Sequence, residues 1–225
     1  MRFSRFSRFS LALVAAGLLG FPLSARSQQV PLNSEIVIKK IVPTFVESPK
    51  IASVGDSKPT PGPQPKWLEI EVTFDRKAKV PKFAGELTFQ YYILLTNDSG
   101  LSDNGISNKK PTLLTGAVTH VNTPEENGLH AVAFVSPRTL AKLFDGKVPV
   151  SVPLALIDCG VTVSGKEGIL AISSFKTKDI KGDKGWWDNP AAYSSVPDLV
   201  LNKDQTPFAP LAWDYFEPVK SKTGN

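Results

Sequence analysis

The chain has 225 residues, 41% of them hydrophobic, with 26 basic side chains against 21 acidic ones and a single cysteine. Four arginines, at 2, 5, 8 and 26, fall in the first 27 residues; without them 22 basic groups face 21 acidic ones. Only Arg76 and Arg138 then remain to read phosphate or guanine as planar forks, which argues against a nucleic-acid partner.

The N-terminus "MRFSRFSRFS" is cationic and is followed by a short apolar run, Leu11 to Gly20, and by Ala25-Arg26-Ser27. A charged n-region, a short h-region and small residues at −3 and −1 predict a secretory signal peptide over 1–27. The apolar run is too short to span a bilayer, which takes about 20 residues. The expected product is exported to the periplasm, cell surface or medium, with no membrane span after cleavage. Its lone Cys159 excludes an intrachain disulfide, so stability must come from the core.

Period two dominates the chain beyond this leader. In "KWLEIEVTFD", Leu68, Ile70, Val72 and Phe74 share one face, as expected of a half-buried antiparallel strand. "ELTFQYYILLT" places Leu87, Phe89, Tyr91, Ile93 and Leu95 inward, with Tyr92 and Leu94 implying cover on the other face as well. "LHAVAFV" repeats the alternation, and "KVPVSVPLALID" predicts an edge or bulged strand carrying Val148, Val150, Val152, Leu154 and Leu156, since Pro149 and Pro153 cannot donate to a ladder. Weaker strands are expected at 35–42, 112–122, 161–164 and 169–176. One short helix is expected in "SPRTLAKLFDG", with Ser136 as N-cap, Pro137 at N1 and Gly146 closing it. Proline-rich "VGDSKPTPGPQP" and "NDSGLSDNGISNKKP" read as loops, and "NTPEENG" reads as a hairpin connection. The pattern predicts an all-β fold: an immunoglobulin-like antiparallel β-sandwich of about eight strands over 28–184.

From Gly185 to Asn225 the chain changes character. Trp186, Trp187, Tyr193, Phe208, Trp213, Tyr215 and Phe216 stand in a stretch without a clean period and broken by five prolines. An aromatic C-terminal arm, 185–225, packed on the sandwich is expected. Phe208, Trp213 and Tyr215 are its anchors, with Trp213 and Tyr215 inserted and Asp214 outward, because exposed aromatics on an unpaired edge invite aggregation.

Trp186, Trp187 and Tyr193 could alternatively form a stacking platform for a sugar, with Asp188 and Asn189 as hydrogen-bonding neighbours; lidding the end of the sandwich is the simpler reading. His120 and His130 flank Glu125 symmetrically, and in a hairpin they would lie opposed at about 4.5–5.5 Å between Cβ atoms. Two imidazoles fall short of the four ligands of a structural zinc site, so a solvent-facing pair is favoured over a metal. There is no nucleophile elbow, phosphate loop or Cys/His metal spacing, and Asp158 beside Cys159 raises the pKa of a thiol rather than activating it. These readings predict no enzyme and no cofactor.

Finally, "TPFAPLAWDYFEPVK" resembles, through Thr206, Pro207, Phe208, Leu211, Trp213, Asp214 and Tyr215, a segment of small exported proteins encoded near type IV pilus genes of Verrucomicrobia-type bacteria. The resemblance implies a non-enzymatic, cell-envelope or pilus-associated interaction or assembly module with an envelope or pilus protein as partner. A pilin itself is excluded, since Pro22 follows Gly20-Phe21 and the apolar run precedes the glycine. A carbohydrate-binding module, with a glycan as partner, and an envelope hydrolase of unrecognised type stand as alternatives.

Overall fold

The computed structural model describes residues 30–31, 35–49, 64–77, 81–96, 110–176 and 180–221. The expected leader, most of the proline-rich loop and the loop from Asn97 to Lys109 lie outside them. The strands are β1 (Val30–Pro31), β2 (Ile36–Glu47), β3 (Lys66–Arg76), β4 (Phe83–Leu95), β5 (Thr112–Pro124), β6 (Leu129–Val135), β7 (Leu156–Gly165), β8 (Gly168–Ser174), β9 (Ser194–Val196) and β10 (Val200–Asn202). They form a six-stranded sheet, β1-β8-β7-β4-β5-β9, facing a four-stranded sheet, β10-β6-β3-β2. Every pairing is antiparallel except β5 with β9. The fold is an all-β sandwich, as the alternation predicts.

Period two puts the expected residues between the sheets. Leu68, Ile70, Val72 and Phe74 of β3 are fully buried against Leu87, Phe89, Tyr91 and Ile93 of β4. The Phe74 and Phe89 rings meet across the sandwich at 5.0 Å. Burying a large apolar side chain stabilises by roughly 1.5–3 kcal/mol, so these two strands alone account for much of the driving force. Cys159 is buried here as a free thiol, and desolvation, then the Asp158 charge, pushes its pKa well up. The helix falls where its caps place it: α1 (Pro137–Leu143) begins with Thr139 N–H donating to the Ser136 hydroxyl at 3.1 Å. It carries the chain from β6 in one sheet toward β7 in the other.

Two expectations fail. The strand predicted from Val148 starts only at Leu156; Val152–Ala155 is a helical turn, α2, and Val150 and Leu154 are exposed. Pro149 and Pro153 explain this, since each removes a ladder donor and Pro153 suits the first turn of a helix. The second failure is "NTPEENG", which joins β5 and β6 but not as a hairpin. Those strands belong to different sheets, so the connection crosses the sandwich.

Arg76 is a buried charge that the sequence pattern did not single out. It continues the inward parity of β3 and is 1% exposed. Its guanidinium donates to the carbonyls of Pro81, Lys82 and Thr123 at 2.9, 2.9 and 3.2 Å, and Nε lies 3.4 Å from a Glu35 carboxylate oxygen. It tethers the start of β4 to the end of β5.

The C-terminal residues are more regular than expected, for β9 and β10 extend one sheet each. Where β10 begins, the chain passes close to β5: a Cβ on Gly116 would come within 2.5 Å of the Val200 carbonyl oxygen. Because that obstacle is backbone already paired with β6, Gly116→Ala should destabilise the protein by about 1–3 kcal/mol in denaturant titration.

Candidate functional site: the C-terminal segment

The segment 194–220 runs along one flank of both sheets. It begins as β9, in parallel pairing with the first residues of β5 (Thr112↔Ser194 to Leu114↔Val196). Asp198, at φ 60°, turns the chain across to the other sheet, where β10 pairs with the end of β6 (Val200↔Val135 to Asn202↔Ala133). Asn202 then caps a turn reciprocally: its side chain accepts from Gln205 N–H, and its own N–H donates to the Gln205 side chain, both at 3.1 Å. Thr206 closes that turn through its hydroxyl on the Lys203 carbonyl.

From here the backbone is a succession of tight turns, with Ala209 N–H on the Thr206 carbonyl, Leu211 on Phe208 and Tyr215 on Ala212. Two rings pin the loop to the outer face of the four-stranded sheet. Phe208 stacks on Phe134 at 4.8 Å and meets Trp67 edge-on at 5.8 Å, and Phe216 joins the same cluster. Lys203 lies beneath, buried, donating to the Ala209 carbonyl and standing 5.4 Å from the Trp213 ring and 5.9 Å from that of Phe216. Desolvation lowers its pKa.

Trp213 and Tyr215 do not insert into the domain, contrary to the expectation for both anchors. Trp213 is 75% exposed and Tyr215 48%. The physical reason is the turn geometry. Insertion of both rings requires strict strand alternation over 213–216, but Ala212 takes φ 51° and resets the facing, so Phe208 and Phe216 fill the cluster instead. Tyr215 lies flat on His130 at 4.1 Å and donates its hydroxyl to Glu71 at 2.8 Å; the same carboxylate oxygen accepts from His130 Nδ1–H at 2.8 Å. Glu69 sits in the same patch, its pKa raised by burial and then by Glu71.

The two histidines are therefore not a pair. His130 lies on the outer face of the four-stranded sheet, while His120, on β5, is buried at the edge of Phe89, 5.1 Å away. They are held by one strap. Glu217 N–H donates to the His130 carbonyl, and the Glu217 carbonyl accepts from His120 Nδ1–H at 3.0 Å. Val121 N–H then donates to the Pro218 carbonyl, and Lys220 N–H to that of Thr119. Lys220 ends the strap on Glu86 at 2.6 Å. No group of three or more His, Cys, Asp or Glu suited to a metal occurs among the described residues.

The other aromatic group covers the outer face of the six-stranded sheet. Trp187 stacks on Tyr92 at 4.5 Å and lies so close to Gly160 that a methyl there would overlap its ring. Trp186 donates its indole N–H to Ser174, whose hydroxyl donates to buried Asp158. Tyr193 donates to the Trp186 carbonyl. Trp187 and Tyr193 are buried, and the rings of Trp186, Trp187 and Tyr193 form a second apolar cluster with Leu94, Leu113, Ile172 and Ile180 instead of the sugar platform given as the alternative. Sequence reasoning misses Lys203, reads Glu69 and Glu71 as a solvated pair on one strand face, and takes Asp158 only as the neighbour that raises the Cys159 pKa.

A protein-family model matches residues 27–223. The chain belongs to that family. Among solved structures it is similar to a protein from Akkermansia muciniphila, of the Verrucomicrobia, with 23% identity and a TM-score of 0.67 over 88% of this chain and 96% of that one. At that identity the likeness speaks for the fold. No curated protein matches the sequence.

The geometry predicts two outcomes. Trp213→Ala should cost about 1 kcal/mol or less, the scale of an exposed cation–π contact, while Phe208→Ala should cost about 2 kcal/mol in the same denaturant titration. The second concerns His120, whose pKa burial lowers to about 4, the Glu217 and Pro218 backbone contacts opposing. The unfolded chain titrates near 6.5, so it binds the proton first. Stability from neutral His120 is thus full above about pH 6.5 and falls as pH drops toward 4, by about 3 kcal/mol. Glu69 and Glu217, with carboxyl pKa values raised chiefly by burial, give the opposite slope. Melting the protein and His120→Phe across pH 4–7 isolates the histidine: the variant should lose the acid-sensitive part of the curve.

Proposed function

We propose that the protein is an exported, non-enzymatic interaction or assembly module of the cell envelope, associated with a pilus or a neighbouring surface protein. The observation that carries this reading is the C-terminal loop, which holds Trp213 in solvent on a scaffold of turns pinned by Phe208, Phe216 and Lys203. A ring that large is normally withdrawn from water. Its display on a fixed loop is the usual character of a binding hot spot.

Three further features support the reading. Residues 1–27 have the composition of a cleaved leader, and the aromatic segment from 185 onward supplies a strand to each sheet of the sandwich it packs on. Among the described residues, no helix is long and apolar enough to cross a membrane. The closing motif resembles that of exported proteins encoded near pilus genes, and the solved relative comes from a Verrucomicrobium.

An open groove of about 730 Å³ near Arg76, rimmed by Glu35, Glu86, Lys166 and Glu167, is the place to look for a hydrolytic site. Its buried arginine is committed to three backbone carbonyls and an acid, which makes it a structural tether. Trp187 and Tyr193 are likewise spent on packing, which removes the main support for the glycan-binding alternative.

Fractionation and N-terminal sequencing of the native protein, followed by cross-linking in intact cells, tests the proposal. A start near Gln28 in the envelope or medium and a discrete cross-linked protein partner are expected. A cytoplasmic protein starting at Met1, or one cross-linking to nothing, would sink it.

A further inference from the structure

The exposed loop has a chemistry that narrows the range of its ligands. Leu211, Trp213 and Tyr215 are its large apolar side chains open to solvent, on a chain of turns that leaves them little freedom. Two basic side chains stand near them, and both are committed. Lys203 is buried against the Ala209 carbonyl and the rings, and His130 is bonded to Glu71 and covered by Tyr215. The carboxylates are in excess. Glu69 and Glu71 both act on the Tyr215 hydroxyl, and Asp214, next to both rings in sequence, is exposed. Among the described residues no cation pairs with Glu69 or Asp214.

Such a face is apolar at its centre, acidic at its rim and fixed in shape. Taking the interaction-module reading as its basis, we propose that the Leu211–Tyr215 loop docks a cationic, apolar segment of a partner protein, with aliphatic side chains on Trp213 and Leu211 and Lys or Arg against Glu69 and Asp214. Like-charge crowding explains the preference. The Glu69 carboxyl is half-buried beside Glu71; burial first and then the Glu71 charge hold its pKa up, and an incoming cation relieves the second. Complementary charge of this kind selects the partner and speeds encounter more than it deepens affinity. Other occupants fit less well. An anionic membrane would be repelled by the same carboxylates. A sugar could stack on the open face of Trp213 but not on the face of Tyr215 that His130 covers, and it would leave the Glu69–Glu71 repulsion unrelieved.

The test uses the whole protein and two synthetic peptides, one alternating Lys and Leu and the other alternating Glu and Leu, followed by tryptophan emission and calorimetry. The cationic peptide should bind, weaken as salt is raised tenfold, and lose at least tenfold in affinity in Trp213→Ala and in Glu69→Gln, both checked for an unchanged fold by circular dichroism. The acidic peptide should not bind. Equal affinity for both peptides, unchanged binding in Trp213→Ala, or tighter binding to an oligosaccharide or to phosphatidylserine vesicles would overturn the assignment. So would self-association through this loop, seen as a concentration-dependent mass lost in Trp213→Ala. The cross-linking experiment separates the two levels. A partner retained by Trp213→Ala in cells would refute this face while leaving the interaction reading in place, and the loss of any partner in the unmodified protein would refute that reading itself.

Discussion

The structure depends on how two unpaired sheet edges on the same flank are closed. A strand edge presents a row of N–H and C=O groups that must find partners in protein or water. The flank of β5 and β6 is covered by one continuous run of chain that changes sheets twice. It pairs with β5 as β9, moves to β6 as β10, and returns at 217–220 to bond both strands within four residues. Backbone hydrogen bonds of net worth about 1 kcal/mol each would not alone hold such a strap against its conformational entropy. The side chains beside them shift the balance: Val219 packs on the main core, Phe208 and Phe216 on the outer cluster, and His120 takes the Glu217 carbonyl.

Each outer sheet face is closed by the same means, with aromatics from beyond residue 184. Trp187 and Tyr193 cover Tyr92 and Leu94 on one side; Phe208 and Phe216 cover Trp67, Val132 and Phe134 on the other. The interior therefore has three apolar layers separated by two sheets, which explains why β6 is buried on both faces despite lying in an antiparallel sheet. The close approach at Gly160 is a consequence, for a ring pressed flat on a sheet leaves no room for a Cβ at its point of contact; Gly116 meets the same limit inside the sandwich, where Val200 of β10 closes on β5.

The sandwich was legible because its signal is local and repeated. Period two in Leu68 to Phe74 and in Leu87 to Leu95 fixes which face of β3 and β4 is inside, and the Ser136–Pro137 cap fixes the helix start. Arg76 lay in that same parity and could have been read as buried. Partner choice between distant strands was not legible. Nothing within "NTPEENG" distinguishes a hairpin from a crossing between sheets, and the placement of His120 and His130 turned on that difference. Nor does local pattern reveal facing in a segment built from turns: one residue with positive φ, Ala212, breaks the alternation on which insertion of Trp213 and Tyr215 was expected. The aromatic count of the C-terminal segment announced packing, but not which ring would be left over.

That left-over ring makes physical sense once the costs are compared. A non-glycine residue in the left-handed region is disfavoured by about 1 kcal/mol or more, and an exposed tryptophan forgoes the gain of burial as well. Both burdens fall on two adjacent residues, Ala212 and Trp213, while their neighbours at 208 and 216 pack in full accord with their chemistry. A loop that merely closed a sheet face could turn with the tryptophan inward and gain stability. Holding it outward on a stiff frame does the opposite. On the proposed interaction reading, the folding energy given up is returned as a side chain ordered before a partner arrives, since association gains most from groups ordered in advance. The uneven distribution of strain along the segment thus separates its two tasks: residues 194–208 and 216–220 complete the sandwich, and the few between them face outward.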